Sequence, residues 1–221
     1  CNPKKVLLGP TDVLQRANDL KGKGVAKPPK LDWKALQKFK RTFTSDIPKK
    51  TKEDFKEKGI KMFSCSPRFI GPNALKLKDI EIKANKIVIA TGLVPRKLDV
   101  VGSKYLKESD DFLSLKKLPK KIIFIGAGYI GMEFAQMAAR AGSKVTILEQ
   151  GDRPLNAFDS DLGALIEKTS KDLGIQFIHN IELNYVKKKG KKYKLNYTLD
   201  NKKRSKKAHL IFNTAGRVPS V

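Results

Sequence analysis

The chain has 221 residues, enough for one large domain or two small ones with a buried core, and its 40% hydrophobic and 31% charged residues exclude a disordered or collagenous class. Forty-seven Lys and Arg against 22 Asp and Glu give a net charge of +25, but the lysines run through the whole chain with few aromatics among them, so specific nucleic-acid recognition is not expected. The longest uncharged apolar run, from Ile122 to Met132, is too short to cross a membrane, and two cysteines, Cys1 and Cys65, build neither a disulfide framework nor a zinc site and suit a reducing cytoplasm.

Position 1 is Cys and no leader follows it, so a fragment or a processed chain is expected. Val6, Leu7, Val13, Leu14, Ala17 and Leu20 recur at helical spacing, and the glycines of Lys21-Gly-Lys-Gly24 end the pattern. A second helix is predicted over 31–43, with Trp33, Leu36, Phe39 and Phe43 on one face. Pro48 interrupts before a third helical stretch near 52–58. Short strands are predicted over 60–64, 69–71, 75–78, 79–82 and 86–90, punctuated by Pro67, Pro72 and Asn85.

After a charged loop containing Pro95 and Gly102, residues 120–150 read as strand, glycine turn, helix, strand. The apolar run over 121–125 is that of a strand covered on both faces, as parallel strands are. A helix over 129–141 ends at Gly142, and a strand over 145–148 follows. A further helix over 159–173 ends at Gly174, and a third strand over 175–178 completes a βαβαβ unit. Strands over 183–186 and 193–199 look antiparallel, and 208–212 closes the series.

The turn Gly126-Ala-Gly128-Tyr-Ile-Gly131 has a physical logic. The first glycine permits a tight turn, the second lets backbone approach a pyrophosphate, and the third lets helix pack on strand. The helix N-terminus then offers unpaired N–H groups to phosphate. Such a turn also occurs for packing alone, but here a strand precedes, a helix follows, and Glu149 ends the next strand, placed to accept from ribose hydroxyls. Dinucleotide binding is therefore expected at Gly126, Gly128, Tyr129, Ile130, Gly131 and Glu149. The carboxylate favours NADH over NADPH, with Arg153 near enough in sequence to receive a 2′-phosphate instead.

Four ordered segments make the chain resemble the flavoprotein pyridine-nucleotide disulfide oxidoreductases, the family of glutathione reductase, lipoamide dehydrogenase and mercuric reductase. They are Cys1-Asn-Pro3-Lys4-Lys5, Ala90-Thr91-Gly92, the eight residues from Gly126 to Glu133, and Ala215-Gly216-Arg217-Val218-Pro219. The resemblance implies an α/β fold: a Rossmann-like NAD(P)-binding domain over 114–214, with a parallel sheet and a β-meander, inserted in an incomplete FAD-binding domain. That domain would supply 1–113, with the start of a redox helix, and 215–221, where the chain returns. The cofactors implied are FAD and NAD(P)H, the partners a disulfide substrate and a second subunit.

By the same resemblance, Cys1 would be the flavin-proximal thiol, a role that a helix N-terminus and Lys4 and Lys5 would assist by lowering its pKa. Lys4 and Glu133 would pair beside the flavin, and Tyr129 would gate the nicotinamide pocket. Gly216 and Arg217 would touch the pyridine nucleotide, while Thr91 and Gly92 would approach FAD. The family's amino-terminal FAD fingerprint, the second redox cysteine and the carboxy-terminal interface domain have no counterpart in this sequence. Nucleotide binding without full disulfide turnover is accordingly expected. His179 and His209 are read as bystanders and Cys65 as a buried free thiol. Two other readings stay open: a basic protein that binds RNA or another polyanion on a Rossmann-like scaffold, and a flavin-independent NADH-binding module.

Overall fold

The computed structural model describes residues 2–221, so Cys1, expected to carry the flavin-proximal thiol, lies outside the described residues. Helix α1 (Asn2–Asp19) covers the first predicted helix and buries Leu7 and Leu14. Helix α2 (Trp33–Thr44) starts at Asp32, whose side chain accepts from the Ala35 N–H and so satisfies one of the first-turn donors. Helix α3 (Ile47–Glu57) begins earlier than expected. Pro48 falls in its first turn, where a missing N–H costs nothing, so the proline starts this helix instead of delaying it.

A three-stranded antiparallel sheet follows, β1 (Arg68–Gly71), β2 (Ala74–Leu77) and β3 (Ile80–Lys83). Two predicted strands are absent: 60–64 and 86–90 form no ladder. Their β-branched and aromatic composition reads as strand, but no strand lies beside either among the described residues, and a strand needs a neighbour for its backbone groups. Val88 is 86% and Ile89 61% exposed as a result. Cys65 is half-buried instead of buried.

The chain then forms β4 (Leu93–Pro95), a 3₁₀ turn (Ser103–Tyr105) and α4 (Ser109–Leu113). The predicted βαβαβ unit is present as β5 (Lys121–Ile125), α5 (Tyr129–Arg140), β6 (Lys144–Leu148), α6 (Ser160–Asp172) and β7 (Gln176–Ile178). Strands β8 (Glu182–Lys189), β9 (Lys192–Leu199) and β10 (Lys202–Ala208) form an antiparallel meander. Strand β10 escaped sequence analysis because only Ala208 in it is buried; the rest is lysine-rich, with no apolar alternation to betray it. The Asp200-Asn201 pair closes the β9–β10 hairpin with both residues at positive φ, the geometry of a two-residue turn. Finally β11 (Leu210–Asn213) enters the main sheet and β12 (Arg217–Pro219) pairs antiparallel with β4.

The main sheet is parallel, in the order β11-β5-β6-β7. The fold class expected from sequence is thus the one observed. Alternation along β5 divides the core in two: Ile122 and Phe124 face helices, Ile123 and Ile125 face the meander. On the helix side, Phe112 from α4 is fully buried among Trp33, Phe124, Phe134 and Phe212, stacking on Phe134 at 4.4 Å between centroids. On the meander side, Val186, Leu195, Tyr197 and Ala208 cover Ile123, Leu148 and Ile211. With both faces sealed, the carboxyl ends of β5, β6 and β11 and the segments that cross them are left to form a site, as is general for open α/β sheets.

Candidate functional site

The three glycines of the β5–α5 turn have different jobs. Gly126 has φ +98°, and a Cβ there would stand 2.6 Å from the Ala215 Cα and 2.7 Å from the Thr214 carbonyl oxygen. A Cβ on Gly131 would meet the Gly126 oxygen at 2.3 Å and Thr214 Oγ1 at 2.7 Å. Both positions are thus filled by the protein itself. At Gly128 the nearest neighbour is the Thr214 oxygen, 4.0 Å away, so nothing in the fold requires that glycine. Its missing side chain leaves room for something else.

Thr214 holds this arrangement together. It is buried, its N–H donates to the Ile125 oxygen, and its hydroxyl lies 2.9 Å from the Ile125 oxygen and 2.8 Å from that of Gly126. Leu155 reaches over from the β6–α6 loop, its N–H donating to the Ala127 oxygen at 3.0 Å. Sequence analysis missed both residues, because their role exists only where β11 and that loop fold back on the turn.

Helix α5 begins at Gly128 with no side-chain cap, whereas α6 begins at Asp159, whose carboxylate accepts from the N–H groups of Asp161 and Leu162. The exposed amides at the start of α5 open on a cavity of ≈ 550 Å³ lined by Gly126, Gly128, Tyr129, Ile130, Glu149, Gly216 and Arg217 among others. Of the expected dinucleotide residues, Gly131 alone lies behind this wall, packed as described. Glu149 turns toward the turn: Oε2 accepts from the Ala127 N–H at 2.6 Å and Oε1 from the Gly151 N–H at 2.9 Å. The Gly126 N–H donates to the Leu148 oxygen. The donors at Gly126 and Ala127 are therefore spent within the protein, and the start of α5 carries the ones that face the cavity. Each Glu149 oxygen keeps acceptor capacity for a further hydroxyl.

Arg217 lines the cavity, but its guanidinium donates to the Leu93 oxygen and to Ser109 Oγ, fastening β12 to β4 and α4. Arg153 donates to the Asn156 and Phe158 oxygens at 3.1 and 3.3 Å and does not line the cavity. Arg96 does line it, and no sequence pattern pointed to it.

A second cavity, of ≈ 520 Å³, lies between α1, α5 and α6. Lys4 and Glu133 line it and form the expected ion pair, with Lys4 Nζ 2.7 Å from both carboxylate oxygens across 129 residues of sequence. Tyr129, Leu155 and Phe158 line both cavities, and the Tyr129 side chain, 54% exposed, stands at the junction. Thr91 and Gly92 are exposed and line neither cavity; Gly92 has φ +76° and its carbonyl accepts from the Ser220 N–H beside the β4–β12 ribbon. His179 sits 2.9 Å from Glu167, and His209 Nδ1 accepts from the Lys121 N–H; neither approaches either cavity. No helix among the described residues is long and apolar enough to cross a membrane, and no cluster of His, Cys, Asp and Glu there could hold a metal.

Residues 1–221 match the family described as pyridine nucleotide-disulphide oxidoreductase. A dihydrolipoyl dehydrogenase of Mycoplasma genitalium is 30% identical over 226 residues, which is 99% of this chain and 49% of that protein. A glutathione reductase of Nostoc is 34% identical over 120 residues, 54% of this chain and 26% of the relative. Among solved structures, the HOCl-induced flavoprotein disulfide reductase RclA of Escherichia coli superposes with a TM-score of 0.80 at 24% identity, covering all of this chain and 47% of its own. The chain spans about half the length of the first of these relatives.

Proposed function

Because the chain belongs to the pyridine nucleotide-disulphide oxidoreductase family, whose members contain FAD and use NAD(P)H, we propose that its larger cavity binds the pyridine dinucleotide of an NAD(P)H:disulfide oxidoreductase. One observation carries this reading: the uncapped start of α5, with Gly128 open where Gly126 and Gly131 are filled, faces the cavity that Glu149 also lines. Backbone amides and the helix dipole would hold the pyrophosphate there, and Gly128 would let it come close. Glu149 would accept from the adenosine ribose. NADH is the preferred form in this reading, since a carboxylate repels a 2′-phosphate and the nearby Arg153 is committed to loop carbonyls.

The residues expected at the flavin belong to the same proposal. When bound, the two cofactors would supply hydride transfer from NAD(P)H to FAD; the sequence offers one thiol at the redox position, Cys1, so nucleotide binding without full disulfide turnover is the activity proposed for these 221 residues. The Lys4–Glu133 pair would set the charge beside the flavin, Cys1 would provide the proximal thiol, Thr91 and Gly92 would approach FAD, and Tyr129, at the junction of the two cavities, would shield the nicotinamide position. Gly216 and Arg217 would border the nucleotide. Tyr129 and the Lys4–Glu133 pair support this reading by lining one shared cavity. A disulfide substrate, a homodimer and a cytoplasmic setting complete the proposal. Isothermal titration of the 221-residue chain with NADH and NADPH tests it: NADH should bind, and more tightly than NADPH, whereas heat from neither rejects the dinucleotide reading.

A polyanion-binding surface is favoured by a different observation. Lys187, Lys194 and Lys207 stand directly opposite one another across β8, β9 and β10, an arrangement that like charges oppose. Salt-sensitive nucleic-acid binding that NADH does not compete would favour that reading over the first.

A further inference from the structure

We propose that Arg96 is the side-chain cation that holds the dinucleotide's pyrophosphate in the larger cavity; this rests on the dinucleotide reading of that cavity and adds a residue to it. Two cationic side chains line the cavity, Arg96 and Arg217. The Arg217 guanidinium is spent on Leu93 and Ser109. That of Arg96 makes no hydrogen bond or ion pair with any described residue. Its backbone, in contrast, is fixed from both sides: its N–H donates to the Gly216 oxygen at 3.0 Å, and its carbonyl accepts from Asn213 Nδ2 at 2.7 Å. Asn213 in turn accepts the Ala215 N–H at 3.1 Å, so one side chain locks Arg96 to the segment that crosses the glycine turn. The arginine stem lies beside Gly216, whose φ of +107° favours glycine: a Cβ built there would stand 3.8 Å from the Arg96 Nε, at ordinary contact distance.

The charge balance of the cavity calls for such a group. A pyrophosphate brings two negative charges to a wall that already holds the Glu149 carboxylate. Backbone amides and a helix dipole answer them only in part. A guanidinium presents paired donors matched to phosphate oxygens.

Position decides which phosphate. Strands β6 and β11 flank β5 on opposite sides, so Glu149 at the end of β6 and Arg96 beside the β11–β12 connection face each other across the turn. Arg96 is thus remote from the ribose edge where a 2′-phosphate would lie. It should serve NADH and NADPH alike.

The test compares NADH and NADPH affinities of the 221-residue chain with those of Arg96→Ala and Arg96→Lys, each at low and moderate salt. Arg96 is exposed and held by its backbone, so both variants should unfold at the wild-type urea midpoint. Arg96→Ala should weaken both nucleotides by the same factor, roughly tenfold, as for loss of one charged hydrogen-bonding group. It should also flatten the salt dependence, and Arg96→Lys should fall between. NADH affinity of Arg96→Ala within about twofold of wild type overturns the role of Arg96 and leaves the cavity reading standing. Weakening of NADPH alone overturns it as well, since the contact would then be with the 2′-phosphate. Absence of NADH binding to the wild type overturns both the role and the reading.

Discussion

Adding one methyl at Gly126 and one at Gly128 should have opposite consequences, although the two residues are neighbours in the same turn. At Gly126 the alanine would be held at φ +98°, which costs an L-residue about 1–2 kcal/mol. Its Cβ would press on Ala215 and Thr214 backbone at 2.6 and 2.7 Å, atoms that cannot swing away, for about 1–3 kcal/mol more. Together these give a loss of about 2–5 kcal/mol. At Gly128, φ is −70° and the nearest atom is 4.0 Å away, so the cost is the weaker helix-capping preference of alanine, under about 1 kcal/mol. With a urea slope of about 2 kcal/mol per M, the midpoint should fall by about 1–2.5 M for Gly126→Ala and by less than about 0.5 M for Gly128→Ala. Nucleotide binding should reverse the order of interest. The Gly128→Ala methyl would occupy the space left for a phosphate, costing about 1–3 kcal/mol, or about 5- to 150-fold in Kd for NADH, in a protein that is still folded. Urea titration followed by tryptophan fluorescence, beside calorimetric NADH titration, reads both effects. A Gly128→Ala protein as unstable as Gly126→Ala, or one that binds NADH like the wild type, would refute the division of labour drawn from these contacts.

Phe112→Ala should cost about 3–5 kcal/mol in the same urea assay, since the ring is fully buried among four other aromatics that join α2, α4 and α5 to the sheet; a loss under about 1 kcal/mol would contradict the packing described. At Glu167, burial pushes the carboxyl up, but hydrogen bonds with Lys171 and His179 together outweigh it, so the group titrates below its ordinary 4.5. A lowered folded-state pKa stabilises the fold at pH above the unfolded value and loses that contribution as pH falls through the folded one. Glu167→Gln should therefore narrow the stability difference between pH 6 and pH 3, and an unchanged difference would refute the assignment.

The βαβαβ unit was legible in the sequence because its signals are local. A doubly covered strand reads as an unbroken apolar run at 122–125, a helix end as Gly142, and the tight turn as glycines at fixed spacing, all within 30 residues. The Lys4–Glu133 pair was legible for a different reason, the resemblance of two short segments to a known family; no spacing rule joins residues 129 positions apart.

What tertiary structure alone decided is which backbone and charged groups are already taken. Ala127 offers an amide in the sequence, but the fold gives it to Glu149; Arg153 is a plausible phosphate ligand by position, but the fold spends it on loop carbonyls. Arg96 carried no motif and reaches the cavity only because β4 pairs with β12 and Asn213 clamps its carbonyl. The 86–90 segment has the composition of a strand yet makes none here, since its own sequence cannot furnish a neighbour. Local sequence sets conformational preference, while a hydrogen bond or an ion pair is shared between partners distant in the chain, and only the folded arrangement determines who those partners are.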